Sequence, residues 1–333
     1  MCLVSQESIN EFGKLMEKVD EPLKRTFQNI HQGNPHETLE RFLSAREGNV
    51  SKAHQMLLDS LKWRVQNEID DILAKPIIPA DLYRDVRDSH LVGLSGYTRE
   101  GLPVFAFGVG LSTFDKASDN YYVQSHIQMN EYRDRVVLPS ASKKHGTQIS
   151  KCIKVLDMSG LKLSALSQIK LGTLITSIDD LNYPERTITY YIVNAPYVFS
   201  ACWKVVRPLL HERTRKKVRV LSGSGQDELL KIMEYSSLPH FCRRKGSGSS
   251  RYTEGAGDNC FSLDHPFHQQ HYNYMKKQSL LLEPLGPRKQ GSFHVDFPET
   301  ETEGTQFVKT MASELQKLGN KKDGISDSFE DLN

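Results

Sequence analysis

The stretch Tyr183–Lys217, YPERTITYYIVNAPYVFSACWKVVRPLLHERTRKK, decides how the rest of the chain is read. A Tyr-Pro-Glu-Arg turn leads into Ile188–Val193, an apolar run rich in β-branched and aromatic residues that reads as a strand. Asn194-Ala195-Pro196 breaks it. Behind the break, apolar side chains from Tyr197 to Leu210 cover more than one face of a helix. The segment then closes on cations, with six Lys/Arg and one acid between Arg207 and Arg219. Two readings fit. One is a buried strand, a core helix and a solvated basic surface. The other is a broad apolar surface feeding into a cluster of cations, which suits a ligand with an apolar end and an anionic end, such as a phospholipid.

On both sides of this stretch the chain alternates strand and helix. Leu102–Gly108 reads as a strand after the Arg99-Glu100-Gly101 turn, and a helix is predicted over Asn120–Val137, ahead of Leu138-Pro139. Ile149–Met158 is a second strand, closed by Asp157-Met158-Ser159-Gly160, and a helix over Ser164–Asp180 separates it from Ile188–Val193. Val218–Leu221 is a fourth strand and Gln226–Tyr235 a further helix. This alternation predicts an α/β fold with a largely parallel sheet.

The N-terminal 5–75 reads as a small helical unit. Ile9, Phe12, Leu15, Met16 and Val19 keep helical spacing, as do Leu23, Phe27 and Ile30 after Pro22. Asn34-Pro35 starts the next helix, on which Leu39, Phe42, Leu43 and Arg46 fall at i, i+3, i+4 and i+7. Arg46 is therefore expected on an apolar stripe, where a guanidinium is costly unless a carboxylate or an anionic ligand meets it. A helix from Ser51 to about Glu68 follows, ended by the Pro76 and Pro79 loop. The α/β lobe is assigned to 76–245, a C-terminal extension to 246–318 with helices over His265–Leu282 and Thr305–Leu318, and a disordered acidic tail to 319–333.

Composition narrows the classes. A net charge of +2 over 333 residues is too small to imply nucleic acid, so any preference for anions must come from local clusters. No apolar run approaches the roughly 20 residues needed to span a bilayer, and the start MCLVSQESINEFG lacks a secretory pattern. Five widely spaced cysteines, none in C-x-x-C, predict reduced thiols in a cytoplasmic protein.

Enzyme signatures begin and fail. His211-Glu212-x-x-Arg215 lacks the second histidine of a zinc protease helix. Four residues separate Cys202 from Arg207 where a cysteine phosphatase loop needs five. There is no G-x-S-x-G elbow, and Ser222-Gly223-Ser224-Gly225 lacks the lysine of a phosphate loop. His265, His268 and His271 share a predicted helical face without a thiolate or carboxylate partner, and are expected to be surface histidines rather than metal ligands. No catalytic residue, metal or cofactor is expected. A binding protein is.

Leu39-Glu-Arg-Phe-Leu-Ser-Ala-Arg46, Lys62-Trp63-Arg64, Asp157-Met-Ser-Gly160, Tyr183-Pro-Glu-Arg186, Asn194-Ala-Pro196 and Leu238-Pro239 occur in one order. Together they resemble the CRAL-TRIO lipid-binding family, in particular its yeast (Sec-fourteen-like) phosphatidylinositol/phosphatidylcholine transfer branch, over roughly residues 5–245. Asn259-Cys-Phe-Ser-Leu-Asp-His265 is similar to plant single-domain members. The resemblance implies a helical N-terminal unit on an α/β lobe with a deep apolar pocket. It also implies a gating helix within Tyr197–Leu210, presenting Val198, Phe199, Cys202, Trp203, Val206, Leu209 and Leu210. Residues matching those that hold the inositol phosphate head are Arg46, Glu185, Thr214 and Lys217. Arg46 and Lys217 would supply cations for a phosphodiester, Glu185 would accept from inositol hydroxyls, and Thr214 would donate to a phosphate oxygen.

Departures accompany the match. Glu47 stands where the family has a basic residue, and Cys152, Lys154 and Asn130 stand where the choline head would be held by serine, threonine and tyrosine. These count against phosphatidylcholine and leave phosphatidylinositol standing. The resemblance thus implies a non-enzymatic phosphatidylinositol carrier, cytoplasmic and only transiently at the Golgi or plasma membrane. A second lipid, anionic membrane surfaces and a lipid kinase are the partners it suggests. The basic run and Arg243-Arg244-Lys245 would draw it to anionic leaflets. Against this stand a carrier of a sterol, tocopherol or retinoid, which would leave Glu185, Thr214 and Lys217 without a phosphate to hold, and a phosphate-ester enzyme.

Overall fold

Four helices open the chain: α1 (Gln6–Met16), α2 (Glu21–His31), α3 (Pro35–Ala45) and α4 (Val50–Gln66). Their starts are set by side chains that accept otherwise orphaned backbone N–H groups, Ser5 for α1, Asn34 for α3 and Asn49 for α4. Phe12, Phe42, Leu43, Leu57 and Leu61 meet in a core of their own. The computed structural model describes residues 4–161, 168–209, 212–243, 258–281 and 301–326.

A short 3-10 segment, Ile69–Ala74, and α5 (Ala80–Ser89) lead to a five-stranded sheet. Its strands are β1 (Val92–Tyr97), β2 (Pro103–Gly108), β3 (Cys152–Asp157), β4 (Thr187–Val193) and β5 (Val218–Val220), in that spatial order. β1 pairs antiparallel with β2, and the other pairs are parallel. The four expected strands are present; β1 was not anticipated. Gly93, Ser95 and Gly96 give it the composition of a loop, and it is a strand because it pairs with β2 and packs beneath the C-terminal segment.

Parallel neighbours joined in sequence order need crossovers of one hand, which places the crossover helices on one face of the sheet. They are α6 (Asp119–Tyr132), α7 (Leu138–His145), α8 (Ile169–Asn182), α9 (Tyr197–Val206) and α10 (Glu212–Lys217). Strand side chains divide by parity. Val104, Ala106, Ile153, Val155, Tyr191 and Val193 pack against Leu229, Met233, Phe241 and Phe261 on one face. Phe105 and Cys152 pack against α6 and α8 on the other. The helix expected at Gln226–Tyr235 is only α11 (Gln226–Leu229) before turns take over.

Pro139 does not end the helical run. A π-turn at Arg133–Val137 joins α6 to α7, and Pro139 lies in the first turn of α7, where a missing N–H is least costly. Beyond the sheet, α12 (Pro266–Leu281) buries Phe267 and Met275 in the core shared by α5, α6 and the sheet. His268 and His271 are buried with them, which corrects their expected surface placement. Burial holds the His271 pKa at about 3, so the ring stays neutral. The last helix, α13 (Glu303–Ser326), continues past residue 318. Ser292–Val295 and the tail beyond Ser326 lie outside the described residues.

Candidate functional site

The Tyr183–Arg186 turn sits where the N-terminal helices meet the lobe. Arg41, buried on α3, donates to the Pro184 carbonyl at 3.0 Å and pairs with Glu37 at 2.9 Å. Arg186 reaches Glu37 and Asp134, both at 3.0 Å, and the Ser150 carbonyl at 2.8 Å. Tyr183 Oη donates at 2.7 Å to Glu131, which also receives Arg64 at 2.7 Å and Arg135 at 2.8 Å. Burial alone would raise the Glu131 pKa, but Arg64 and Arg135 outweigh it and bring it down to about 2. This network locks the turn from both sides. Glu185, between Pro184 and Arg186, takes a φ of +61°, a left-handed conformation that costs a non-glycine residue about 1–2 kcal/mol.

That conformation delivers the Glu185 carboxylate to Lys217, whose Nζ lies 2.9 and 3.0 Å from its two oxygens. Lys217 ends α10, directly before β5, and Glu185 lies two residues before β4, so the pair lies at the N-terminal ends of two paired strands. Thr214, one turn earlier on α10, shares a face with Lys217 and donates at 2.9 Å to Glu303 at the start of α13. Three of the four candidate head-group residues are thus gathered on one short helix and the turn beside it. Arg46 is placed differently from its expectation. It caps α3, is half-buried, and donates at 3.0 Å to the Ala45 carbonyl, while the guanidinium buried on that helix is Arg41. A helix rises about 1.5 Å per residue, so Arg46 lies about 7.5 Å along α3 from the residue that touches Pro184. No described contact joins it to the other three.

The stretch expected to gate the pocket is α9 with a 3-10 turn at Arg207–Leu209. Phe199, Cys202, Trp203 and Val206 are buried against Ile192, Val218 and Val220 of the sheet, and against Phe307, Met311 and Leu315 of α13. Trp203 meets Phe307 edge-on, with ring centroids 6.1 Å apart. The side chains of Val198 and Leu209, and all of Leu210, lie outside the described residues. α13 also crosses α8: the Gly304 N–H donates to Asp180 at 3.1 Å, and Gly304 passes so close that a Cβ there would stand 2.4 Å from Thr176 Cγ2. The C-terminal helix therefore bridges α8 and α9, a contact that no local pattern in the sequence signals.

The positions set against a choline head are engaged elsewhere. Lys154 pairs with Asp179 at 3.1 Å, Asn130 donates to the same carboxylate at 2.7 Å, and Cys152 Sγ donates to the Arg186 carbonyl at 3.4 Å. Burial would raise the Asp179 pKa, but Lys154 and then His126 hold it well below the carboxylate range. Of the expected basic patch, Arg243 is bound to Asp258 at 3.1 Å and to the Leu238 carbonyl at 3.0 Å, and Arg244-Lys245 lie outside the described residues. Cys152, Cys202, Cys242 and Cys260 are buried free thiols. Among the described residues no group of His, Cys, Asp and Glu could hold a metal, and no helix is long and apolar enough to cross a membrane.

Residues 87–242 match the CRAL/TRIO domain, and residues 8–59 match the CRAL/TRIO N-terminal domain. The chain belongs to the CRAL-TRIO family. Among its relatives are two Arabidopsis thaliana proteins, phosphatidylinositol/phosphatidylcholine transfer proteins SFH11 and SFH9, each 30% identical over 236 residues. These alignments cover 69% and 66% of this chain, but only 58% and 39% of the relatives' own length. The SEC14 cytosolic factor of Eremothecium gossypii is 29% identical over 231 residues, 66% of this chain and 71% of that protein. The crystal structure of Sfh5 shares the fold, with a TM-score of 0.55 at 17% identity over 83% of this chain and 98% of that one.

Proposed function

We propose that this CRAL-TRIO chain binds phosphatidylinositol and transfers it between membranes, or presents it at one, without catalysing a reaction. The observation that carries the reading is the Glu185–Lys217 pair with Thr214 on the same face of α10, built at the strand ends and held by a strained, buried turn. A lysine, a hydroxyl and a carboxylate are the groups that a polyol joined to a phosphodiester calls for. Relatives named as phosphatidylinositol/phosphatidylcholine transfer proteins support the ligand class. The engagement of Lys154, Asn130 and Cys152 favours inositol over choline at the head.

In this reading α9 is the gate, and acyl chains enter when it leaves the sheet. Fully exposing a large apolar side chain costs about 1.5–3 kcal/mol in water. Phe199, Trp203 and Val206 together therefore keep α9 shut in solution, whereas a bilayer offers the same side chains equivalent burial. Opening also separates Trp203 from Phe307, so α13 must release the gate. The test is movement of labelled phosphatidylinositol between donor and acceptor vesicles. The reading predicts transfer above a protein-free blank and little transfer of phosphatidylcholine; equal transfer of both would remove the head-group preference, and no transfer of either would remove the carrier function.

A further inference from the structure

The C-terminal helix α13 touches two parts of the candidate site at once. Its first residue, Glu303, accepts from Thr214 Oγ1 at 2.9 Å, and its next turns put Phe307, Met311 and Leu315 against α9. At about 1.5 Å per residue, Glu303 and Met311 stand about 12 Å apart along one helix. That helix is closely seated. On α8, Gly172, Thr176 and Asp180 recur at every fourth position, and on α13 so do Gly304, Val308 and Ala312. The two rows meet: a Cβ at Gly304 would stand 2.4 Å from Thr176 Cγ2, and a Cβ at Gly172 would stand 4.0 Å from Val308 Cγ1. Polar contacts fix the start of the helix. Asp180 accepts the Gly304 N–H at 3.1 Å, while the Thr302 and Thr305 hydroxyls accept each other's backbone N–H at 3.2 and 2.8 Å.

Thr214 is the hydroxyl that the phosphatidylinositol reading gives to a phosphate oxygen, and here its proton goes to a carboxylate. A hydroxyl has one proton to donate, so Glu303 and a phosphate cannot both take it, and the two anions repel each other. We propose that α13 is an autoinhibitory strap. Glu303 stands in for the lipid phosphate at Thr214 while the apolar face of the same helix holds α9 against the sheet, so docking of α13 and binding of the lipid head exclude one another. The strap rests on the phosphatidylinositol reading of Thr214 and Lys217, and it couples the head to the gate. A head that displaces Glu303 loosens α13 over α9, and by linkage a bilayer that draws α9 outward frees Thr214.

The test titrates the delipidated full chain with dioctanoyl phosphatidylinositol below its micellar concentration. Native mass spectrometry reads bound lipid, and amide exchange reads α13. Binding is expected to quicken exchange over residues 306–315 about ten-fold or more. Glu303→Gln keeps the shape and removes the charge, and is expected to bind the lipid about three-fold or more tighter than the unaltered chain. A glutamate that merely completed the head-group site would give the opposite sign, because its loss would weaken binding. Equal or weaker binding by Glu303→Gln, or unchanged α13 exchange in the lipid-bound chain, would overturn the strap and leave the reading at Lys217 in place. No binding of the lipid by the unaltered chain would overturn that reading and the strap with it.

Discussion

Glu131 shows what single residues contribute to holding the site together. It is buried between Arg64 and Arg135 with Tyr183 Oη on it, and its pKa is down to about 2 from 4.5. A group depressed in this way stabilises the fold fully above its unfolded value and loses that contribution as pH falls from about 4.5 towards 2, here about 3 kcal/mol. Asp134 and Asp179, also held low, act in the same direction. Urea unfolding at stepped pH is therefore expected to show stability falling below about pH 4.5, with a shallower fall in Glu131→Gln; identical slopes would contradict the assignment. Arg64→Ala leaves Glu131 with one cation fewer and is expected to cost about 3–5 kcal/mol. The helix pattern placed Arg46 on the apolar stripe of α3, because periodicity gives the face and not where the helix stops. The helix ends at Ala45, which turns Arg46 into a half-buried cap; the buried arginine, Arg41, lies off that stripe, against Pro184.

At the scale of elements, α13 is the piece that packs over α9, the proposed gate. Phe307→Ala removes the edge-on contact with Trp203, and exchange of the α9 amides is expected to quicken by about ten-fold or more, with faster lipid transfer. Unchanged exchange would show that α13 does not hold α9. β1 depends on a similar distant partner. A Cβ at Gly93 would lie 1.8 Å from the Cys260 carbonyl oxygen, so Gly93→Ala is expected to lower the melting temperature by several degrees; a melt matching the unaltered chain would contradict so close a fit. Strands β2–β5 and helices α6, α8 and α9 were legible because each carries its own pattern, whereas α7 was hidden behind Pro139. β1, the two buried histidines of α12 and the α13–α9 contact were not, since each is decided by residues far away in sequence.

For the molecule as a whole, the arrangement joins the buried turn that carries Glu185, an apolar α9 packed under the C-terminal helix and an exposed basic rim. Arg207, Lys216 and Arg219 are exposed on the segment that follows α9, and each cation near an anionic surface contributes about 1 kcal/mol. Association with phosphatidylserine-containing vesicles is expected to weaken between 0.1 and 1 M salt, where the screening length falls from about 10 to about 3 Å, and to weaken further in Arg219→Glu. Salt-independent association would assign membrane contact to apolar insertion alone. The family and the motif positions were readable before any coordinates; the pairing of Glu185 with Lys217 was not, because it depends on a left-handed turn that the residues around Pro184 impose.

The most direct test of the central claim is native mass spectrometry of the lipid carried by the protein from a eukaryotic host, unaltered beside Lys217→Ala. The account predicts phosphatidylinositol on the unaltered chain and its selective loss from the variant. The same neutral lipid on both would contradict it.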